Sequence, residues 1–263
     1  MISSPTTSPW WTTAFAGFVG LCVGSFLNVV IHRLPPLLFA RAADETVTEG
    51  LCFSRSRCNA CRTAIAARDN IPLLSYVLLR GRCRRCHAWI SLRYPIVEGS
   101  VALLFGYLAA AKGLSYTTVG LGALFACLVV LAAIDLDHML LPDVITLPLL
   151  AAGLAFNAGP GLVAFPAAAV GAAMGLLFLW AVALVAKRLA GREALGFGDA
   201  KLLAAVGAWL GFACIVPTVL IAIVVTSAAM LGARSCPRLR HTSPMPFGPG
   251  LALGAVLVAL YNH

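Results

Sequence analysis

Long apolar runs alternate with short polar connections along most of this chain, and one long polar stretch interrupts the rhythm. A helix that crosses a bilayer needs about 20 predominantly apolar residues. On that measure the pattern predicts eight spans, over 12–32, 95–111, 116–135, 143–158, 163–187, 199–214, 215–232 and 246–261. The division between the sixth and seventh falls near Pro217, because proline removes a ladder donor and breaks or kinks a helix. A single kinked helix there would reverse the parity of everything after it.

Composition supports a membrane setting. The chain is 60% hydrophobic and 11% charged, against roughly 25% charged residues in soluble domains. The formal charge of +9 suits a nucleic-acid partner only if it is gathered on one face. Here the basic residues gather in loops between apolar runs, as orientation signals do, so membrane lipid is the expected surroundings and no nucleic acid is expected. The polar stretch after the first span carries Arg33, Arg41, Arg55, Arg57, Arg62, Arg68, Arg80, Arg82, Arg84, Arg85 and Arg93. With eight spans, the loop of Lys187, Arg188 and Arg192 falls on the same side, as does the loop of Arg234, Arg238 and Arg240. The opposite loops carry only Lys112. The asymmetry places the long stretch in the cytoplasm and both termini outside. Residues 1–11 hold no Lys or Arg, so the basic start of a cleavable signal is missing. Trp10 and Trp11 suit an interfacial anchor before the first span.

Within the polar stretch, Cys58-Asn59-Ala60-Cys61 and Cys83-Arg84-Arg85-Cys86 form two CxxC pairs at the spacing of a four-cysteine zinc site. Each pair offers two thiolates from one tight turn, and two pairs close a tetrahedron with no open position. Disulfides are the alternative, disfavoured by the cytoplasmic placement. A small segment without room for a large core gains folding energy from such a structural metal. Cys22, Cys127 and Cys214 lie in apolar runs and read as buried small hydrophobes; Cys52 and Cys236 have no CxxC partner. The expected fold is therefore an all-α polytopic membrane protein of about eight transmembrane helices, with a small cytoplasmic zinc-binding domain between helices 1 and 2. The expected organisation is a first transmembrane helix over 1–32, a four-cysteine zinc segment over 33–94, and a transmembrane domain over 95–263.

Two acids stand out against the apolar background. Asp135 closes the run 121–134, and Asp199 opens another within Gly196-Phe197-Gly198-Asp199-Ala200-Lys201. An ionisable group in a span is costly, and by default marks a functional site. Asp135 is poorly placed for stability alone, because a helix C-terminus repels a carboxylate. Asp199 has the blander reading of a first-turn acid favoured by the helix dipole, and Asp143, after Pro142, reads as a helix N-cap. Asp137 and His138 read as solvated loop residues. In the eight-span topology both Asp135 and Asp199 reach the cytoplasmic face. Two adjacent carboxyls share a proton and titrate as a coupled pair. One then activates water while its protonated partner polarises a carbonyl, so the pair reads as an aspartic protease. Gly196 and Gly198 would let an extended substrate approach Asp199. Lys201 is either a substrate contact or an interfacial lysine extending its head to water, and Glu98 is a candidate structural partner for one of the arginines.

Taken together these motifs resemble the type IV prepilin peptidase family, bifunctional leader peptidases and N-methyltransferases of bacterial inner membranes. The resemblance runs from Gly24-Ser25-Phe26-Leu27-Asn28-Val29-Val30-Ile31-His32-Arg33 through both CxxC pairs and Asn70-Ile71-Pro72-Leu73-Leu74-Ser75-Tyr76. It continues through Arg93-Tyr94-Pro95-Ile96-Val97-Glu98, the stretch from Asp135 to Pro148, the GxGD-x-K at 196–201, and Pro246-Phe247-Gly248-Pro249. It implies cleavage of the basic leader of type IV prepilins or type II secretion pseudopilins, with Asp135 and Asp199 as catalytic acids. It also implies methylation of the new amino terminus, usually phenylalanine, from S-adenosylmethionine. Ala194-Leu195 departs from the glycine-containing pair that often precedes the GxGD. No soluble dinucleotide-type glycine fingerprint is present, and a methyl-donor pocket is expected near 24–33 and the cytoplasmic loop. The competing class is a proton-coupled transporter, which also uses intramembrane acids, although the chain shows no convincing internal repeat.

Overall fold

The computed structural model describes residues 9–43, 56–190, 196–235 and 245–262; Cys52, Cys236 and the Ala194-Leu195 departure lie outside them. The chain forms two compact units, one ending at Ala126 and the other beginning at Cys127. Among the described residues the regular structure is helical, with only two isolated β-bridges.

The first unit contains α1 (Trp10–Ala42), α2 (Leu74–Leu78) and α3 (Arg93–Lys112), and takes in the start of α4 (Tyr116–His138). Helix α1 continues past the expected end at 32, through Pro35 and Pro36, to Ala42. The prolines delete two ladder donors, but helix-forming residues resume behind them. The last turn closes where the Ala43 N–H donates to the carbonyls of Phe39 and Ala40 at 3.0 and 3.1 Å. Helices α1 and α3 run antiparallel in close contact. A Cβ added at Gly20 would lie 2.8 Å from the Ala102 backbone, and one at Gly24 would lie 2.8 Å from the Glu98 backbone. Small residues at such crossings let helix backbones approach where a hydrophobic driving force is absent.

The second unit contains the rest of α4, with α5 (Asp143–Asn157), α6 (Phe165–Ala190), α7 (Phe197–Leu210), α8 (Ile215–Ser235) and α9 (Gly248–Asn262). Helix α7 is its centre. From Asp199 to Leu210 every residue except Lys201 is buried, as expected for a helix that is apolar all round. It ends at Gly211, whose φ of 80° suits glycine. A short 3-10 turn, Phe212–Cys214, leads into α8. The expected division between 214 and 215 coincides with the start of α8, and Pro217 sits in its first turn, where its missing N–H costs no hydrogen bond.

Asn157 ties this unit together at the C-terminal end of α7. Its Nδ2 donates to the carbonyls of Ala208 and Trp209 at 2.8 and 3.0 Å, and its Oδ1 accepts from the N–H groups of Leu162 and Val163 at 2.7 and 3.1 Å. Trp209 adds an Nε1–H bond to the Leu149 carbonyl at 2.9 Å.

Among the described residues, five helices are long and apolar enough to cross a membrane: α1, α3, α4, α6 and α8. Helices α5 and α9 have 15 residues each and α7 has 14, which at 1.5 Å per residue is roughly 22 Å. Cys127 is half-buried and Cys214 buried as expected, but Cys22 is exposed on the flank of α1 rather than packed.

Replacing Asn157 with Ala removes the partner of four backbone groups, two of them, the Ala208 and Trp209 carbonyls, buried. The expected loss is about 3 kcal/mol, read as a lowered thermal midpoint of the detergent-solubilised protein, with Asn157→Gln recovering only part of it.

Candidate active site

Asp135 lies in the last turn of α4, and Asp199 lies in the first turn of α7 behind the N-cap Gly196. Both side chains are deeply buried, at 5% and 7% exposure, and Asp199 lies within electrostatic reach of Asp135. Four helix ends meet around them. Helix α4 stops after His138, where Met139 adopts φ 51° and its N–H donates to the Asp135 carbonyl at 2.9 Å. Pro142 then caps α5 by conformation alone, and its carbonyl accepts the N–H groups of Ile145 and Thr146 at 3.0 Å. Leu141 in this loop lies against Gly198, where an added Cβ would sit 3.0 Å from the Leu141 side chain. Helix α9 completes the group: the Gly248 N–H donates to Asp135 Oδ2 at 2.9 Å. A Cβ at Gly248 would fall 2.6 Å from that oxygen, so only glycine allows the bond. The run Pro246-Phe247-Gly248-Pro249 carried this signal in the sequence, although the partner of its N–H was not legible there.

Asp143 does not cap α5 with its side chain. It is the first helical residue, and Lys201 Nζ lies 2.6 and 2.7 Å from its two carboxylate oxygens. The ammonium also sits 4.9 Å from the centre of the Phe197 ring, a cation–π distance. The pair links the first turn of α5 to the turn of α7 that carries Asp199. Lys201 is thus not a lysine merely reaching for water, since a specific acid holds it. Asp137 and His138 are exposed, but they belong to the last turn of α4 rather than to a loop.

In the first unit, Cys58, Cys61, Cys83 and Cys86 bring four sulfurs within 4.8 Å of one another. The two hairpins share one design. Arg57 bridges Ala64, and Arg82 bridges Trp89. The Cys58 N–H donates to the Thr63 carbonyl and the Cys83 N–H to the Ala88 carbonyl, both at 2.9 Å. Arg62 and His87 occupy the same place in each hairpin, with φ of 58° and 55°. The Cys58 and Cys86 sulfurs are 3.8 Å apart. Zinc–sulfur bonds of 2.3 Å in a tetrahedron require sulfurs about 3.8 Å apart, so the donor set fits a four-thiolate metal ion. Hydrogen bonds from Thr63 favour the Cys61 thiolate and hold it at about 6. The Ala88 N–H draws Cys86 down, but partial loss of water and three neighbouring sulfurs outweigh it and push that thiol up to about 11. Four thiolates in this space need a cation to share their charge.

Arg84 makes a bidentate pair with Asp69, with contacts of 2.7 to 3.1 Å. The guanidinium holds the Asp69 carboxyl below its usual range and ties the second hairpin to the turn before α2. Glu98 binds backbone. It is 7% exposed and its Oε2 accepts the Leu73 N–H at 2.8 Å.

Fold and sites define a helical membrane protein with a buried acid pair at converging helix ends and a separate four-thiol centre. Residues 18–112 match the family described as the bacterial peptidase A24 N-terminal domain, and residues 122–231 match the type IV leader peptidase family. A Burkholderia pseudomallei (strain 1026b) protein named prepilin leader peptidase/N-methyltransferase is 44% identical, covering 95% of this chain and 85% of its own. Proteins of the same name from Aeromonas hydrophila and Pectobacterium carotovorum subsp. carotovorum are each 42% identical. They cover 97% and 96% of this chain, and 92% and 94% of their own lengths. No solved structure matches the chain significantly. The chain belongs to the type IV leader peptidase family.

Cys58→Ser/Cys83→Ser removes one thiol from each hairpin. Elemental analysis of the purified protein is expected to give about one zinc per wild-type chain and none in the double variant; an unchanged metal content would remove the metal from these cysteines.

Proposed function

We propose that this chain is a membrane aspartic endopeptidase that removes the basic leader of type IV prepilins or type II secretion pseudopilins, and that it then methylates the new amino terminus. The observation that carries the reading is the meeting of Asp135 and Asp199 at the joined ends of α4, α5, α7 and α9, in a member of the type IV leader peptidase family. A transporter reading gains nothing from the relatives.

Asp135 and Asp199 share one proton in the resting site, since two adjacent carboxylates do not both ionise. The ionised member takes a proton from water as the water oxygen attacks the scissile carbonyl. The protonated member donates to the carbonyl oxygen, and the tetrahedral carbon then collapses as the leaving nitrogen is protonated. No charge is created or lost over the cycle. The Gly248 N–H holds one oxygen of Asp135 and so orients the pair. Gly196 leaves room for an extended backbone beside Asp199, whereas Gly198 admits the close packing of Leu141. Lys201 contacts the substrate with the ammonium hydrogen that Asp143 does not occupy, while its ion pair fixes the first turn of α7.

All eight apolar helices, α1 and α3 to α9, cross the bacterial inner membrane, with the acids at the cytoplasmic face and both termini periplasmic. The distribution of Arg and Lys supports this orientation. Starting α5, α7 and α9 below the membrane surface accommodates their short length and gives water and an unwound peptide a recess. Residues 1–32 serve as the first transmembrane helix, 33–94 as the zinc segment and 95–263 as the peptidase domain. Zinc held by Cys58, Cys61, Cys83 and Cys86 is structural, its four thiolates leaving no open coordination position. S-adenosylmethionine, when bound, supplies a methyl group on a sulfonium centre.

Asp135→Asn and Asp199→Asn are each expected to lower cleavage of a synthetic prepilin by at least about 10⁴-fold, with the thermal midpoint retained. Cleavage kept within tenfold in either variant removes that residue from the chemistry.

A further inference from the structure

The second hairpin carries more positive charge than its neighbours take up. From Asn70 to Val97 the chain holds five arginines and no acidic residue. Arg84 pairs with Asp69, and Arg85 Nη1 donates to the Thr63 hydroxyl at 3.3 Å, beside the thiols. Arg80 and Arg82 are exposed and meet no carboxylate among the described residues. With His87 they edge an open depression of about 570 Å³ between the end of α2 and the hairpin. The depression is apolar as well. Leu78 and Trp89 line it and are 70% and 74% exposed. Val77 and Leu92, close by in the chain, are nearly as exposed. Arg82 lies over the Trp89 ring, 4.4 Å from its centre.

Position says what covers this face. Trp89 stands four residues before Arg93, where α3 begins, and α3 is long and apolar enough to cross a membrane. Four residues reach at most about 14 Å, so the hairpin stays close to the headgroup layer. Tryptophan is favoured at that depth, and basic residues there meet anionic lipid. We propose that this face seats the four-thiol segment on the bilayer, with Leu78 and Trp89 entering the interface and Arg80 and Arg82 holding the phosphate of an anionic phospholipid. The inference rests on α3 crossing the membrane, as proposed above. The lipid brings an anion for guanidinium groups, which bind phosphate through paired N–H donors, and an apolar layer for the exposed side chains. A free phosphate brings only the first. Cys83 follows Arg82 directly, so seating this hairpin also fixes half of the four-thiol centre against the membrane.

The test uses the purified full-length protein in two measurements. In neutral-detergent micelles, retention of phosphatidylglycerol on the intact protein is read by mass spectrometry, against phosphatidylcholine, inorganic phosphate and a polyglutamate peptide. Phosphatidylglycerol is expected to bind in preference to all three, and Arg80→Gln/Arg82→Gln to weaken it by about tenfold or more. In bilayers with bromine-labelled acyl chains, the emission lost in Trp89→Tyr is expected to be the quenched kind. Zinc content reports on the fold of each variant. Equal binding of the two lipids, unchanged binding in the double variant, or competition by phosphate or polyglutamate at the same level overturns the lipid site. Quenching confined to the other tryptophans overturns the seat alone. No quenching of any tryptophan overturns the membrane placement, and the seat with it.

Discussion

Two buried carboxylates at the ends of helices constrain the whole second unit. A carboxylate at a helix C-terminus gains nothing from the dipole, and one near a second acid is worse placed still. Asp135 is kept there by a backbone N–H delivered from α9, the last helix of the chain, and Asp199 by the first turn of α7. Holding them takes a run of tight contacts at this end: Leu141 on Gly198, Lys201 on Asp143, and Gly248 on Asp135. At the other end of α7, Asn157 and Trp209 fix its C-terminus through backbone hydrogen bonds. The central helix is therefore pinned at both ends, and the acid at its start has a defined position. Such precision suits a site that must hold two groups in place for attack on a peptide bond.

The first unit meets a different problem. Its polar segment has few buried apolar residues between 56 and 92, so close packing alone does not hold it. Two hairpins of the same local design bring four sulfurs together, and the Asp69–Arg84 pair fastens one hairpin to the neighbouring turn. That ion pair is exposed and worth little by itself. A metal ion held by the four thiols would supply the energy that the missing core does not.

Much of this was legible in the sequence because it rests on composition and short spacing. Each expected apolar run carries a helix, though α1 runs on to Ala42 and α5, α7 and α9 are short, and the two CxxC pairs announced the thiol cluster. Features set by tertiary contact were not legible. The expected division between 214 and 215 meets the start of α8, but the left-handed Gly211 that ends α7 four residues earlier was not legible. Asp143 had the pattern of a cap, yet Lys201, far along the chain, takes its carboxylate. The backbone N–H of Leu73, 25 residues before Glu98, was likewise not legible as its donor. Gly248 gave a motif without a reason until its N–H was seen on Asp135. Each miss involves a partner that no local spacing encodes.

The claim on which the account stands is a single proton held between Asp135 and Asp199. Infrared difference spectroscopy of the protein at neutral pH, with aspartate labelled by carbon-13, reads that proton directly. The account predicts a protonated aspartate carbonyl band that disappears when either residue is replaced by Asn. A spectrum without that band, or a band that persists in both single replacements, would contradict it.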